Sequence, residues 1–172
     1  MRGWLLDTNI LGYLTDRGDE RHSVVNAQFQ KVSPIEPIYI SSITAGEIDY
    51  GIRANPKMPS EKKNLLRWSV EQFHILAVTD NTKGPYGEIR ARLFENKVKK
   101  GKKSQRPEQL VDPVTSRRLG VQENDIWITA QAVERGLTLV TNDTKMQPLW
   151  EAAKDGLQVV NWADPEFGWP KE

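Results

Sequence analysis

Residues Leu5-Leu6-Asp7-Thr8-Asn9-Ile10-Leu11 decide how this chain is read. A short apolar run ends in an aspartate, and Thr8 and Asn9 follow at once. Ile10, Leu11 and Leu14 then fall on one helical face. This is a first strand delivering a carboxylate to its C-terminal end, where open α/β sheets place their ligands. The pattern returns late in the chain, where Leu137 to Val140 is a buried-type strand ending in Thr141-Asn142-Asp143.

Between these stretches strands and helices alternate. Asp16 and Gly18 end the first helix, and Ser23 to Val32 reads as a second, stopped by Ser33-Pro34. Pro37 to Ile40 is a strand, and Ala45 to Arg53 a helix with Glu47 in its first turns. Ser60 is a good N-cap for a helix reaching Phe73. Ile75 to Val78 is a short strand, followed by a helix over Tyr86 to Lys97. From Glu123-Asn124-Asp125 an apolar helix runs to Gly136, a C-cap. Pro148 to Lys154 is the last helix and Leu157 to Val160 the last strand. Such alternation predicts an α/β fold with a mostly parallel sheet and helices on both faces. Residues 1–160 are expected to form one domain and 161–172 an irregular tail, packed on the domain or left free.

Composition narrows the function. The 172 residues suffice for one domain with a sizeable core. With 38% hydrophobic residues, 27% charged residues and six Trp, the chain is expected to fold. The absence of cysteine excludes disulfides and thiolate metal sites and is compatible with a cytoplasmic protein. His22 and His74 form no ligand pair and read as surface or packing residues. No run approaches the ~20 apolar residues of a membrane helix, and the early first strand leaves no room expected for a signal peptide. A net charge of +1 identifies no partner.

Four acids share a position type. Asp7 and Asp143 end short strands, whereas Glu47 and Asp125 lie near helix starts that follow loops. In a parallel sheet these positions share one edge. Clustered carboxylates repel unless a cation neutralises them. An all-oxygen donor set suits a hard metal, Mg²⁺ or Mn²⁺, and such sites hydrolyse phosphodiesters. Simpler readings stand beside this one. Taken singly, Asp7 and Asp125 are helix N-caps, Glu47 a solvated helix residue and Asp143 part of a turn. Spacing alone leaves the choice open.

Three stretches bear on that choice. LLDTNIL resembles the opening of PIN-domain ribonucleases, especially the VapC-like toxins of bacterial toxin–antitoxin pairs. SSITAGEIDYGI, from Ser41 to Ile52, is similar to their second block, and ENDIWITAQAVERGLTLVTND, from Glu123 to Asp143, to their third and fourth joined. The blocks occur in the family's order. The resemblance implies a PIN-like three-layer fold and Mg²⁺- or Mn²⁺-dependent endonucleolytic cleavage of RNA. It makes Asp7, Glu47, Asp125 and Asp143 the catalytic acids. Asp7 and Asp125 would be the principal metal ligands, with Glu47 and Asp143 acting directly or through water. Thr8, Asn9, Thr141 and Asn142 would support them by hydrogen bonding, Asn9 and Thr141 foremost. A small antitoxin and a second copy of the chain are the implied partners, with Trp68 weighed as a contact residue and favoured as a core one. The alternatives are a PIN-fold nuclease of RNA processing without an antitoxin, and a nucleic-acid-binding module without catalysis.

One segment departs from the resemblance. From Lys97 to Gly120 the chain inserts a basic stretch, with Lys99, Lys100, Lys102, Lys103 and Arg106 uninterrupted by acids and Arg117-Arg118 beyond. It reads as a long loop, either solvated or in contact with RNA phosphates.

Overall fold

The computed structural model describes residues 3–97, 106–112 and 114–166. The strands are β1 (Trp4–Leu6), β2 (Ile38–Ser41), β3 (His74–Leu76), β4 (Thr138–Val140) and β5 (Gln158–Val160). The helices are α1 (Thr8–Thr15), α2 (His22–Phe29), α3 (Ser42–Ala54), α4 (Ser60–Glu71), α5 (Lys83–Lys97), α6 (Glu123–Arg135) and α7 (Gln147–Ala153). All strand pairings are parallel, in the order β3-β2-β1-β4-β5, so the fold is α/β as expected. Among the described residues no helix is long and apolar enough to cross a membrane.

The chain falls into two compact units. The first comprises 1–77, 137–142 and 158–172, and the second 78–136 and 143–157. The sheet lies wholly in the first. Its strands are three or four residues long, short enough to be written as Leu-Leu or Leu-Val between polar ends. Leu6, Ile40 and Val140 meet Ile10 and Leu11 of α1 and Val25 of α2 in one buried core. Burying each such side chain contributes roughly 1.5–3 kcal/mol, which holds strands too short to be stable alone. In the second unit, Ile89 and Leu93 of α5, Ile126 and Ala130 of α6 and Leu149 of α7 are buried. Gly136 closes α6 in the left-handed region at φ 60°, as its sequence position predicts.

Several boundaries differ from expectation for local reasons. α3 starts at Ser42, three residues before Ala45, because the Ser41 hydroxyl accepts the Ile43 N–H at 2.9 Å and caps the helix earlier. Ser60 is not the N-cap of α4. Pro59 takes that place at φ −55° with no side-chain cap bond, leaving Ser60 as the first helical residue. α5 opens at Lys83, since Pro85 fits a first turn that gives up no hydrogen bond, and Tyr86 N–H donates to Thr82 O at 3.0 Å. Trp68 is 57% exposed rather than in the core, because α4 turns Ser69 inward and leaves Trp68 outside.

The basic segment is not a wholly irregular loop. Residues 98–105, which include Lys99, Lys100, Lys102 and Lys103, lie outside the described residues. Beyond them Pro107–Gln109 forms a 3-10 turn, and Val111 and Arg118 pair antiparallel. The buried Leu110 and Val121 anchor this piece.

At the start of the tail Asn161 and Trp162 are buried, packed on the first unit as one of the two expectations had it. Trp162 is 5% exposed and joins the core around Leu6, with its ring 5.6 Å from Trp4 and 6.3 Å from Phe29. Residues 167–172 lie outside the described range. Replacing Trp162 by Ala is expected to lower unfolding stability by about 3–5 kcal/mol in urea denaturation followed by circular dichroism. A loss below about 1 kcal/mol would mean that the residue packs as a surface tail.

Candidate metal centre at the sheet edge

Register decides which side chains leave the sheet together. Leu6 pairs with Ile40 and with Val140, and Val140 with Val160. The next residue on each strand, namely Asp7, Ser41, Thr141 and Asn161, therefore stands at the same C-terminal edge. The strand order also reverses between β1 and β4, since β1 leads to β2 on one side and β4 to β5 on the other. Such a switch point opens a crevice beyond the carboxyl ends of the strands. Asp7 and Thr141 end the two strands that flank it.

Asp7 is 7% exposed, and three neutral donors reach its carboxylate. Oδ1 accepts the Thr8 N–H at 2.7 Å, while Oδ2 accepts Asn9 Nδ2 and the Thr141 hydroxyl, each at 2.7 Å. The capping role and the site role are thus divided between two oxygens of one residue. The Thr8 hydroxyl donates to Glu47 Oε2, so one threonine links the first two acids through its N–H and its O–H. Asn9 Oδ1 in turn accepts the Asn142 N–H at 3.1 Å, which fixes the turn after β4. Six of the expected residues, Asp7, Thr8, Asn9, Glu47, Thr141 and Asn142, thereby form one connected network.

The network extends to residues that the sequence did not single out. Asn142 Nδ2 donates to the Tyr13 hydroxyl at 3.3 Å, and Asn161 Nδ2 donates to Asn142 Oδ1 at 2.8 Å. Arg21 Nη1 also donates to the Tyr13 hydroxyl at 2.9 Å, and its guanidinium holds the Asp19 carboxyl below the usual carboxylate range. Two signals were available. Tyr13 lies four residues after Asn9 on the same helix face, and Asn161 repeats the apolar-strand-then-polar ending of Asp7 and Thr141.

The other two acids belong to the second unit. Asp125 is the third residue of α6, and its Oδ2 accepts the Gln122 N–H at 2.7 Å in a capping arrangement. Its carbonyl accepts the Thr129 hydroxyl at 2.7 Å. Asp143 Oδ1 accepts the Lys145 N–H at 2.9 Å. Nearby, Glu123 accepts from the Tyr86 hydroxyl and from Arg90 Nη1, the latter at 2.6 Å. Burial, and then the bond to Glu123, pushes the Tyr86 hydroxyl above its ordinary pKa. Among the described residues no three acidic or histidine side chains are gathered as a ready metal site.

The donor chemistry of the first unit nevertheless fits a hard cation. Asp7 and Glu47 supply oxygens only, and neutral donors orient a carboxylate without cancelling its charge. Arg106 is exposed, with its N–H donating to Gln109 Oε1 at 3.0 Å.

Known proteins share this fold. The family model of the PIN domain matches residues 4–149. The structure is similar to a chain in the crystal structure of VapBC2 from Rickettsia felis bound to a DNA fragment from their promoter. There the TM-score is 0.67 and the identity 23%, over 94% of this chain and 99% of that one. It is similar to a chain of FitAcB from Neisseria gonorrhoeae, at TM-score 0.64 and 25% identity, over 92% and 97%. A third resembles it at TM-score 0.57 and 19% identity, over 93% and 98%: VapBC-5 from Mycobacterium tuberculosis, a member of the VapBC family of toxin-antitoxin systems. No curated protein sequence matches the chain significantly. Since the family model spans both acid-bearing strand ends and the helices between them, the chain belongs to the PIN-domain family.

Proposed function

We propose that this PIN-domain protein is a metal-dependent endoribonuclease and the toxin of a toxin–antitoxin pair, acting in the cytoplasm. The observation that carries the reading is the carboxylate of Asp7, set at the switch point and oriented by Thr8, Asn9 and Thr141. A structural cap needs one acceptor oxygen. The second oxygen here is served by two side chains that come from sequence positions 2 and 134 residues away. Pre-orientation of that kind suits a ligand group.

Asp7 and Asp125 would hold Mg²⁺ or Mn²⁺, with Glu47 and Asp143 completing the shell directly or through water. When bound, such a cation would neutralise charge on a scissile phosphate and ease the loss of a proton from the water that attacks it. The chain's own residues supply the rest. Thr141 and Asn9 fix the direction of the Asp7 carboxylate, and Thr8 keeps Glu47 in reach of the same edge. Asn142, held by Asn9 and Asn161, sets the position of the Asp143 turn. No covalent enzyme intermediate is needed, because water is the nucleophile that attacks phosphorus.

The partner reading rests on the toxin–antitoxin complexes in which similar chains are found. It is supported by exposed Trp68, Leu65 and Tyr50 on α3 and α4. A groove of about 570 Å³ also runs between α1 and α4 past Tyr13 and Leu66. These apolar surfaces suit a small antitoxin or a second copy of the chain.

Purified protein is expected to cut total RNA with Mg²⁺ and to stop in EDTA, with activity restored by excess Mg²⁺. Cleavage that persists in EDTA would contradict the reading. Asn9→Ala and Thr141→Val are each expected to reduce cleavage about 10–100-fold, as loss of a group that supports a metal ligand does. Asp7→Asn should reduce it further than either, with thermal melts showing that all three variants are folded. Equal activity of Thr141→Val and the parent would show that the Thr141 bond serves packing only.

A further inference from the structure

The described end of the basic segment is built rather than merely charged. Leu119 N–H donates to Leu110 O at 3.0 Å, and the Asp112 and Arg117 backbones close the hairpin at 2.8 Å. At its tip Asp112 Oδ1 accepts the N–H groups of Val114 and Thr115, at 2.9 and 2.7 Å. Ser116 sits at φ 57°, a left-handed conformation that a tight turn imposes. This hairpin sets Arg117 and Arg118 side by side, both exposed.

Across from them runs the segment that follows Asp143. Arg117, Arg118 and Lys145, with the hydroxyl residues Thr115 and Thr144, line a cleft of about 320 Å³ in the second unit. The Lys145 stem lies against Gly120, where an added Cβ would stand 2.9 Å from Lys145 Cδ. Gly120 has φ +78°, a conformation that strains any side chain, and glycine lets the Lys145 stem lie close.

Two acids, Asp112 and Glu151, also border the cleft. Asp112 is committed to the hairpin tip, and Glu151 accepts Gln147 Nε2 at 3.4 Å. Among the described residues none of the three cations forms an ion pair. Three cations fixed around one polar cleft call for an anion. Two guanidinium forks match phosphate oxygens in pairs, and the ammonium adds a point charge.

We infer that this cleft binds the phosphodiester backbone of the RNA strand beside Asp143. The inference rests on the endoribonuclease reading and gives that reading a substrate-holding surface. Thr144 lines the cleft and follows Asp143 directly, and Asp143 accepts the Lys145 N–H, so the cleft begins at the residue next to a proposed catalytic acid. A phosphate held there would fix the register of the strand without selecting its bases.

The test uses a labelled single-stranded RNA of mixed sequence and fluorescence anisotropy across a salt series, with Asp7→Asn in every protein to prevent cleavage. Arg117→Ala/Arg118→Ala is expected to weaken binding about tenfold or more at low salt. It should also flatten the plot of log affinity against log salt by roughly 1.4, for two lost phosphate contacts. Arg117→Lys/Arg118→Lys should keep most of the slope, which separates charge from damage to the hairpin. Lys31→Ala/Lys57→Ala, which neutralises two exposed lysines of the first unit, should change little. The parent chain with Asp7 intact is assayed for RNA cleavage in parallel. Cleavage by the parent together with unchanged affinity and slope in the arginine variant overturns the cleft and leaves the nuclease standing. An equal loss in the lysine control overturns it as well. A parent that neither cleaves nor binds RNA overturns both readings. Arginine-dependent binding of poly-glutamate without RNA binding would overturn the RNA assignment and give the cleft to an acidic protein partner.

Discussion

A buried carboxylate must be answered, and the structure around Asp7 follows from how it is answered. Leaving an ionised acid in a protein interior is costly unless hydrogen bonds or opposite charge compensate it. Here an adjacent N–H, an amide two residues on and a hydroxyl from β4 do part of this. The last of these ties the parallel register to the site. A slip of one residue between β1 and β4 would turn Thr141 to the other face and remove its bond to Asp7. Sheet register and site geometry are therefore one constraint.

The same constraint explains why so much was legible. An apolar strand that stops at a polar residue marks both the end of a buried run and the arrival of a functional group at the sheet edge. Leu6-Asp7 and Val140-Thr141 carry both messages in adjacent letters. Gly136 was equally plain, since a left-handed helix stop selects glycine. What the sequence hid is tertiary. Asn161 ends a strand like the others, but its role depends on Asn142 being near, which no local pattern states. Trp162 looks like part of a Trp- and Pro-rich tail until β5 delivers it into the core around Leu6. Trp68 looked like a core aromatic because its size suggests burial, whereas the packing of α4 chose Ser69 instead.

The hairpin at 106–120 shows the limit from the other side. Lysine, arginine, proline and glycine make its composition that of a loop, and composition was all that could be read. Its order comes from Leu110 and Val121 buried at its root and from one aspartate that satisfies two N–H groups at its tip. These are few residues in a polar stretch, so no periodicity announces them. Helix starts were displaced for a related reason: a single cap, such as the Ser41 hydroxyl, moves a boundary by a whole turn.

Three of the four proposed ligands have a second duty as a backbone acceptor, Asp7 for Thr8, Asp125 for Gln122 and Asp143 for Lys145. Such duties fix a carboxylate's direction and leave oxygen lone pairs for a cation. In the proposed cation site, Asp7 and Asp125 are the principal ligands. Calorimetric titration with Mn²⁺ of the parent, Asp7→Asn and Asp125→Asn tests it most directly. Saturable binding is expected in the parent and is expected to be lost in both variants while both remain folded. Unchanged Mn²⁺ binding in Asp125→Asn would contradict this assignment.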